Sequence, residues 1–235
     1  MKLKKNGSVP QADVFNTSIS DLMSGLLAIF ILVLCYFILN FSQATAQLSE
    51  NDTKRAEILL EIQAAMKEAG VDVIIDQEHG ILRIPEGILF DVGSADIKPA
   101  GHQVIKKLAS VMETVLSDDE FKGSVETIFI EGHTDNVPIN NAWFSSNWDL
   151  STKRAINTWN MMQTAEPKLN NLINRNEQRI FSCSGYADTR PVSTNDNAES
   201  RRQNRRIDIR FSMSSPNAKD IQIVRFMKER MKNNG

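Results

Sequence analysis

The sequence predicts an α+β domain, helices laid on one face of a mixed β-sheet, carried behind a single membrane-spanning helix. Three observations lead there. Leu22 to Leu39 is an eighteen-residue run without a charge. No second run of that length exists. From Val71 onward, short β-rich runs alternate with helical patterns and turn residues, the signature of a layered α+β sandwich.

The N-terminal run reads LMSGLLAIFILVLCYFIL. At about 1.5 Å rise per residue it covers roughly 27 Å, and Ile19 and Phe41 extend it to a full hydrocarbon crossing of about 30 Å. Lys2, Lys4 and Lys5 precede the span, against Asp13, and no basic residue follows until Lys54. The positive-inside rule therefore predicts a cytoplasmic N-terminus over 1–12, a transmembrane helix over 13–41 and export of the remaining chain, about 190 residues. A cleaved signal peptide is the competing reading, because Ala44-Thr45-Ala46 resembles a cleavage site. The apolar run exceeds the usual h-region of about 7–15 residues, and that site lies beyond its end, which favours the uncleaved anchor.

Asp21 opens the apolar run and has two readings. Ser20-Asp21 can cap a helix that begins at Leu22. Alternatively, Val14, Phe15, Ile19, Leu22, Met23 and Leu26 recur at helical spacing, so the helix begins near residues 12–16 and carries the carboxylate inside the membrane. An intramembrane acid is costly by about 2.5–3.5 kcal/mol at a helix centre and marks an ion or proton site. Ser24 and Gly25, small and adjacent, would admit a neighbouring helix.

Residues 42–70 form a connector. The stretch 42–57 is polar and mixed in charge. Ile58, Leu59, Ile62, Met66 and Ala69 then share a helical face that Gly70 terminates. The 3-4-3 spacing of Leu59, Ile62, Met66 and Ala69 fits either pairing with a second copy or packing on the following domain.

The exported domain, 71–214, begins with a hairpin: Val71–Asp76 and Ile81–Ile84 flank Gln77-Glu78-His79-Gly80. Pro99 starts a helix that places Val104, Ile105, Leu108, Val111, Met112 and Val115 on one face. Val125–Glu131 reads as a buried strand, Ser151–Thr164 as a helix, and Arg179–Ser184 and Arg206–Met213 as strands. Residues 215–235 read as a basic-ended helical tail.

Charge and motif content exclude several functions. The balance of 27 basic and 29 acidic residues leaves −2, too little positive field for direct nucleic-acid binding. Two cysteines without CxxC spacing exclude cysteine-based zinc and redox motifs. Three histidines without HxxxH spacing argue against a metalloprotease, and His133 has no second ligand nearby in sequence. No GxSxG, P-loop or nucleophile–base arrangement is present, so the domain is expected to bind rather than catalyse, with no cofactor.

Five ordered segments carry a family resemblance: LFDVGSADIKPAG (89–101), EGHTDNVP (131–138), SNWDLSTKRA (146–155), SGYADTRPV (184–192) and NRRIDIRF (204–211). They resemble the OmpA-like peptidoglycan-binding family, with Ala187 where that family's pattern has glycine. SDLMSGLLAIFILVL (20–34) resembles the transmembrane helix of MotB-type stator subunits, in which the acid carries the transported ion.

The combined resemblance implies a homodimeric, wall-anchored inner-membrane subunit with a periplasmic C-terminal domain. The subunit would sit inside a ring of about five copies of a polytopic MotA/ZorA-like protein. Asp21 would be the ion-translocating residue, with H⁺ the expected ion and Na⁺ the open alternative. The segment Ser18-Ile19-Ser20-Asp21 lacks the aromatic context of flagellar stators and looks more like the ZorB subunits of Zorya anti-phage defence systems. Flagellar MotB and a passive membrane-to-wall tether are the alternatives.

For the wall site, peptidoglycan stem peptides commonly expose diaminopimelate, a zwitterion that asks for one fixed carboxylate and one guanidinium. The resemblance assigns those roles to Asp135 and Arg154. Thr134 and Asn147 are implied as hydrogen-bonding neighbours, and Asn204 and Arg206 as supports. Asn147 shaping a turn, and Arg206 merely pairing with Asp208, are the plainer readings.

Overall fold

A computed structural model describes residues 11–214. The expected basic-ended tail at 215–235 and most of the expected cytoplasmic segment lie outside the described residues. The chain divides into two compact units at Gln47 and Leu48.

One helix, α1, runs without interruption over Gln11–Glu68. No proline or glycine interrupts it between Gly25 and its end. The polar stretch stays helical, with Glu50–Lys54 and Asp52–Arg55 pairs at 3.1 Å each. In the N-terminal unit, Ile19–Ser42 is long and apolar enough to cross a membrane, at mean hydropathy 2.8. Asp21 lies inside α1, so the cap reading fails.

In the second unit, Ile58, Leu59, Ile62 and Met66 of α1 are fully buried in the hydrophobic core. Packing on the domain is thus the use of this apolar face, and pairing of those positions with a second copy is excluded. Asn51 donates to Ser214 O at 2.7 Å, and Gln63 to Val73 O at 3.2 Å, fixing the part of α1 that belongs to this unit.

β1 (Ile74–Asp76) and β2 (Ile81–Pro85) form the expected antiparallel hairpin. A single turn of helix, α2 (Glu86–Leu89), follows, and then α3 (Pro99–Ser117). β3 (Val125–His133) leads to α4 (Asn147–Ala165). A 3-10 turn (Pro167–Asn171) precedes β4 (Phe181–Gly185), α5 (Ala198–Asn204) and β5 (Arg206–Met213). The sheet order is β1-β2-β5-β3-β4, with β3 and β4 parallel and every other pair antiparallel. Helix α4 starts four residues before the sequence-predicted start because Ser146 caps it, accepting from Asp149 N.

Strand residues alternate between two faces. Ile128, Ile130, Ile207, Ile209, Phe211, Leu82 and Ile84 join the core with α3 and α4. The opposite face carries charge: Arg83 and Arg206 both hold Asp208 at 2.9 Å, and Arg210 pairs with Glu131. His133, also on this face, stacks on Tyr186 with ring centroids 5.4 Å apart.

Candidate functional site

Two glycines set where α4 meets the sheet. Gly132 and Gly185 face each other in the parallel β3–β4 register. A Cβ on Gly132 would lie 2.0 Å from Ser151 O, and one on Gly185 would lie 2.2 Å from Thr152 Oγ1. Only glycine admits this approach, which brings the first turns of α4 down onto the carboxyl ends of the parallel strands. Asp135, just past β3, thereby shares a cavity of about 370 Å³ with Arg154.

The loop between β3 and α4 is held by its own side chains. Asp135 Oδ1 accepts from Val137 N at 3.0 Å, and Thr134 Oγ1 donates to Asp135 O at 2.9 Å. Asn147 accepts from Ile139 N at 3.2 Å and donates to Asp135 O and Val137 O at 3.3 and 3.0 Å. Asn147 therefore shapes this loop and also lines the cavity.

Arg154 is only 2% exposed, although it is a charged residue on a helix. Its Nε donates to Ser94 O at 2.8 Å, a terminal nitrogen reaches Asp91 O at 3.4 Å, and the guanidinium lies 5.2 Å from the Phe90 ring centroid. It forms an ion pair with Glu86. The other Glu86 oxygen is 2.6 Å from Arg205 Nε, and a terminal nitrogen of Arg205 is 2.6 Å from Asp135 Oδ2. The cavity is thus lined by a chain of alternating charges, Arg154–Glu86–Arg205–Asp135. Burial pushes the Glu86 carboxyl above its ordinary pKa, with Arg154 and Arg205 pulling the other way.

Asn204 is fully buried and supports the cavity indirectly. Its oxygen accepts from Val192 N and Ser193 N at 2.8 and 3.0 Å, and its amide donates to Asn195, which accepts from Asn136 N beside Asp135. Arg206 does not line this cavity, and its one link to it is a bond from its guanidinium to Asn204 O at 3.0 Å. It points to the opposite sheet face, bound to Asp208 at 2.9 Å and to Arg190 O at 3.1 Å. Strand alternation explains the difference, since Arg206 begins β5 one residue out of phase with core-facing Ile207. The residues that sequence reasoning missed are Glu86 and Arg205.

Asp21 belongs to the other unit and is exposed there, as are its neighbours through Ser42. Ser24 Oγ donates back to Ser20 O at 2.7 Å, and a Cβ on Gly25 would meet nothing within 4 Å. This stretch of helix presents an open, small-residue surface beside the acid.

Known proteins share this architecture. The model of the OmpA family matches residues 89–205. Motility protein B of Bacillus subtilis is 30% identical over 164 residues, covering 70% of this chain. The chain spans 57% of that relative's length. Among solved structures, a protein described as MotB-like from Desulfovibrio vulgaris superimposes with a TM-score of 0.55 at 22% identity, covering 71% of this chain and 95% of that one. The cell wall anchor of the T6SS from Pseudomonas aeruginosa gives 0.51 at 24% identity, covering 66% and 97%.

Proposed function

We propose, from the premise that residues 89–205 form an OmpA-like domain, that this chain is the peptidoglycan-anchored B subunit of an ion-driven, MotAB-like rotary motor. The observation that carries the reading is the cavity at the β3 and β4 ends, where Asp135 faces two guanidinium groups. That set matches a zwitterionic wall peptide: the carboxylate takes an ammonium and a guanidinium takes a carboxylate, bidentately where geometry allows.

The other half of the reading concerns force. Asp21 sits in a helix apolar enough to cross a membrane, and an acid there is an ion-site candidate by default. The membrane potential supplies roughly 2.3 kcal/mol per charge per 100 mV, enough to bias its contacts with a surrounding ring. Two copies would stand inside a ring of a polytopic MotA-like protein in the inner membrane. Wall binding would hold them still so that ion flow turns the ring. The similarity to motility protein B supports this arrangement.

Within such motors, the chain is assigned to the Zorya-type anti-phage branch, because no Trp or Tyr precedes Asp21 in the ISDLMSGLL segment. The transported ion is taken as H⁺. The test is isolation of the full chain from its native membrane in mild detergent, followed by binding to purified sacculi. A polytopic ring protein in the preparation, together with retention on sacculi, is expected. A chain that comes alone is a passive tether, and one that ignores sacculi is no anchor. Phage protection without a motility phenotype on deletion would place it in the defence branch.

A further inference from the structure

Glu86 is buried at 4% exposure and directs its two oxygens at the two guanidinium groups of the cavity. Two arginines converging on one carboxylate is the arrangement of an occupied carboxylate site. Here the occupant belongs to the chain itself. With Asp135 held by Arg205, the cavity's opposite charges are already paired with one another. A zwitterionic ligand can satisfy its carboxylate there only by exchange.

We propose that Glu86 is a built-in stand-in for the ligand carboxylate, occupying Arg154 and Arg205 until a wall peptide displaces it. The proposal rests on the reading of this cavity as the wall-ligand site and adds how that site is regulated.

Three features make the exchange feasible. First, both arginines keep their places without Glu86: Arg154 through Ser94 O, Asp91 O and the Phe90 ring, and Arg205 through Asp135. Glu86 is therefore not needed to position them. Second, the ion pairs are close but poorly aligned, since neither Glu86 Oε1 nor Arg205 Nε finds a hydrogen-bond partner. A ligand carboxylate free to orient itself can form the aligned, stronger version. Third, Glu86 stands on a single four-residue turn and is followed by Gly87, where a Cβ would meet nothing within 4 Å. Burial also disfavours its ionised form there, with Arg154 and Arg205 opposing.

The experiment measures binding of full-length chain in detergent to purified sacculi and to a soluble stem peptide carrying diaminopimelate. Glu86→Gln keeps the volume and removes the competing charge, and should bind about tenfold more tightly than the wild type. Wild-type binding with equal or weaker binding by the variant overturns the proposal and leaves the cavity assignment standing. No binding by the wild type removes the assignment and the proposal together. Carboxyl footprinting of the unaltered chain, with a water-soluble carbodiimide and an amine, supplies a readout independent of the variant's folding. Labelling of Glu86 should rise severalfold when stem peptide is added, and an unchanged level overturns displacement.

Discussion

Arg205 is bound to Asp135 at 2.6 Å across seventy residues of sequence, joining the end of β3 to the start of β5 at the rim of the cavity. The contact makes Arg205 a member of the candidate site on equal terms with Arg154, and the two arginines differ in what their loss should do. Arg154 is enclosed, so Arg154→Ala takes one of two guanidinium partners from the buried Glu86 carboxylate, leaving Arg205 alone with it, and should cost about 3–5 kcal/mol of stability as well as binding. Arg205 is about a quarter exposed. Arg205→Ala should cost less, about 1.5–3 kcal/mol, the range for hydrogen bonds to charged groups. Thermal melts paired with sacculus binding check both. A full loss of sacculus binding by Arg205→Ala, with a melt lowered less than that of Arg154→Ala, is the expected pattern, and unchanged binding would place the ligand elsewhere.

Ala187 adopts a left-handed conformation, φ +48°, while 1% exposed, at the position where the family pattern has glycine. The conformation is required there because Ala187 N donates to Ser151 Oγ at 3.1 Å and Ala187 O accepts from Thr134 N at 2.9 Å, tying this turn to α4 and to the site. A Cβ in this region is strained, so Ala187→Gly should stabilise the domain by about 1 kcal/mol. Chemical denaturation measures it, and a loss of stability would mean that the buried methyl contributes more than the strain costs.

The elements set by contiguous sequence were legible: the hairpin around Gly80, the Pro99 helix and the β3 and β5 strands each follow from local periodicity. Asp135 and Arg154 were legible through the motifs that contain them. Glu86 was not, because its role depends on partners on α4 and at the start of β5, and it sits in a one-turn helix too short to show a period. Arg206, expected as a support, takes its plainer reading as the partner of Asp208, and parity explains why Arg205 lines the cavity instead. With Ile207, Ile209 and Phe211 turned to the core, period-two alternation sends Arg206 and Asp208 away from the helices and keeps Arg205 in phase with Ile207.

The continuity of α1 determines where the domain can be cut. Ile58, Leu59, Ile62 and Met66 contribute fully buried side chains to the core of the second unit. Removing four such side chains forfeits on the order of 6 kcal/mol, comparable to the whole stability of a typical domain. A fragment beginning at Leu48 should melt cooperatively, whereas one beginning at Val71 should be unfolded or aggregated. Circular dichroism melts of the two fragments decide this, and equal melting temperatures would show that the α1 segment is dispensable.

His133 predicts an acid-sensitive fold. Its ring is buried against Tyr186, with Arg206, Arg190 and Arg83 nearby and Asp208 at 3.6 Å. Burial, reinforced by Arg206, lowers its pKa from 6.5 to about 4, with Asp208 opposing. The folded state therefore holds the neutral imidazole, and its stabilisation is complete above pH 6.5. Between pH 6.5 and about 4 the unfolded chain binds a proton that the folded chain does not. Stability should fall by up to about 1.4 kcal/mol per pH unit in that window. His133→Phe keeps the stack on Tyr186 but cannot titrate, so the difference between variant and wild type across the window isolates this residue. A constant difference would mean that His133 is protonated in the fold.

Asp21 is the residue on which transduction depends in the proposed reading. It lies inside a helix rather than at its cap, so its carboxylate contributes nothing to helix initiation, and Asn at the same place should leave insertion unchanged. The second unit, with the wall cavity, starts at Leu48 and does not include it, so binding to sacculi should also persist. An amide cannot exchange a proton, however. Asp21→Asn should therefore abolish ion flux through the reconstituted complex and the biological output, phage protection or motility, together. Asp21→Glu keeps the charge on a longer arm and should retain part of both. Three readouts in one variant separate the roles: normal membrane fractionation, normal sacculus binding and absent flux are expected. Wild-type flux in Asp21→Asn would remove the ion site from this residue and leave the chain as an anchor alone.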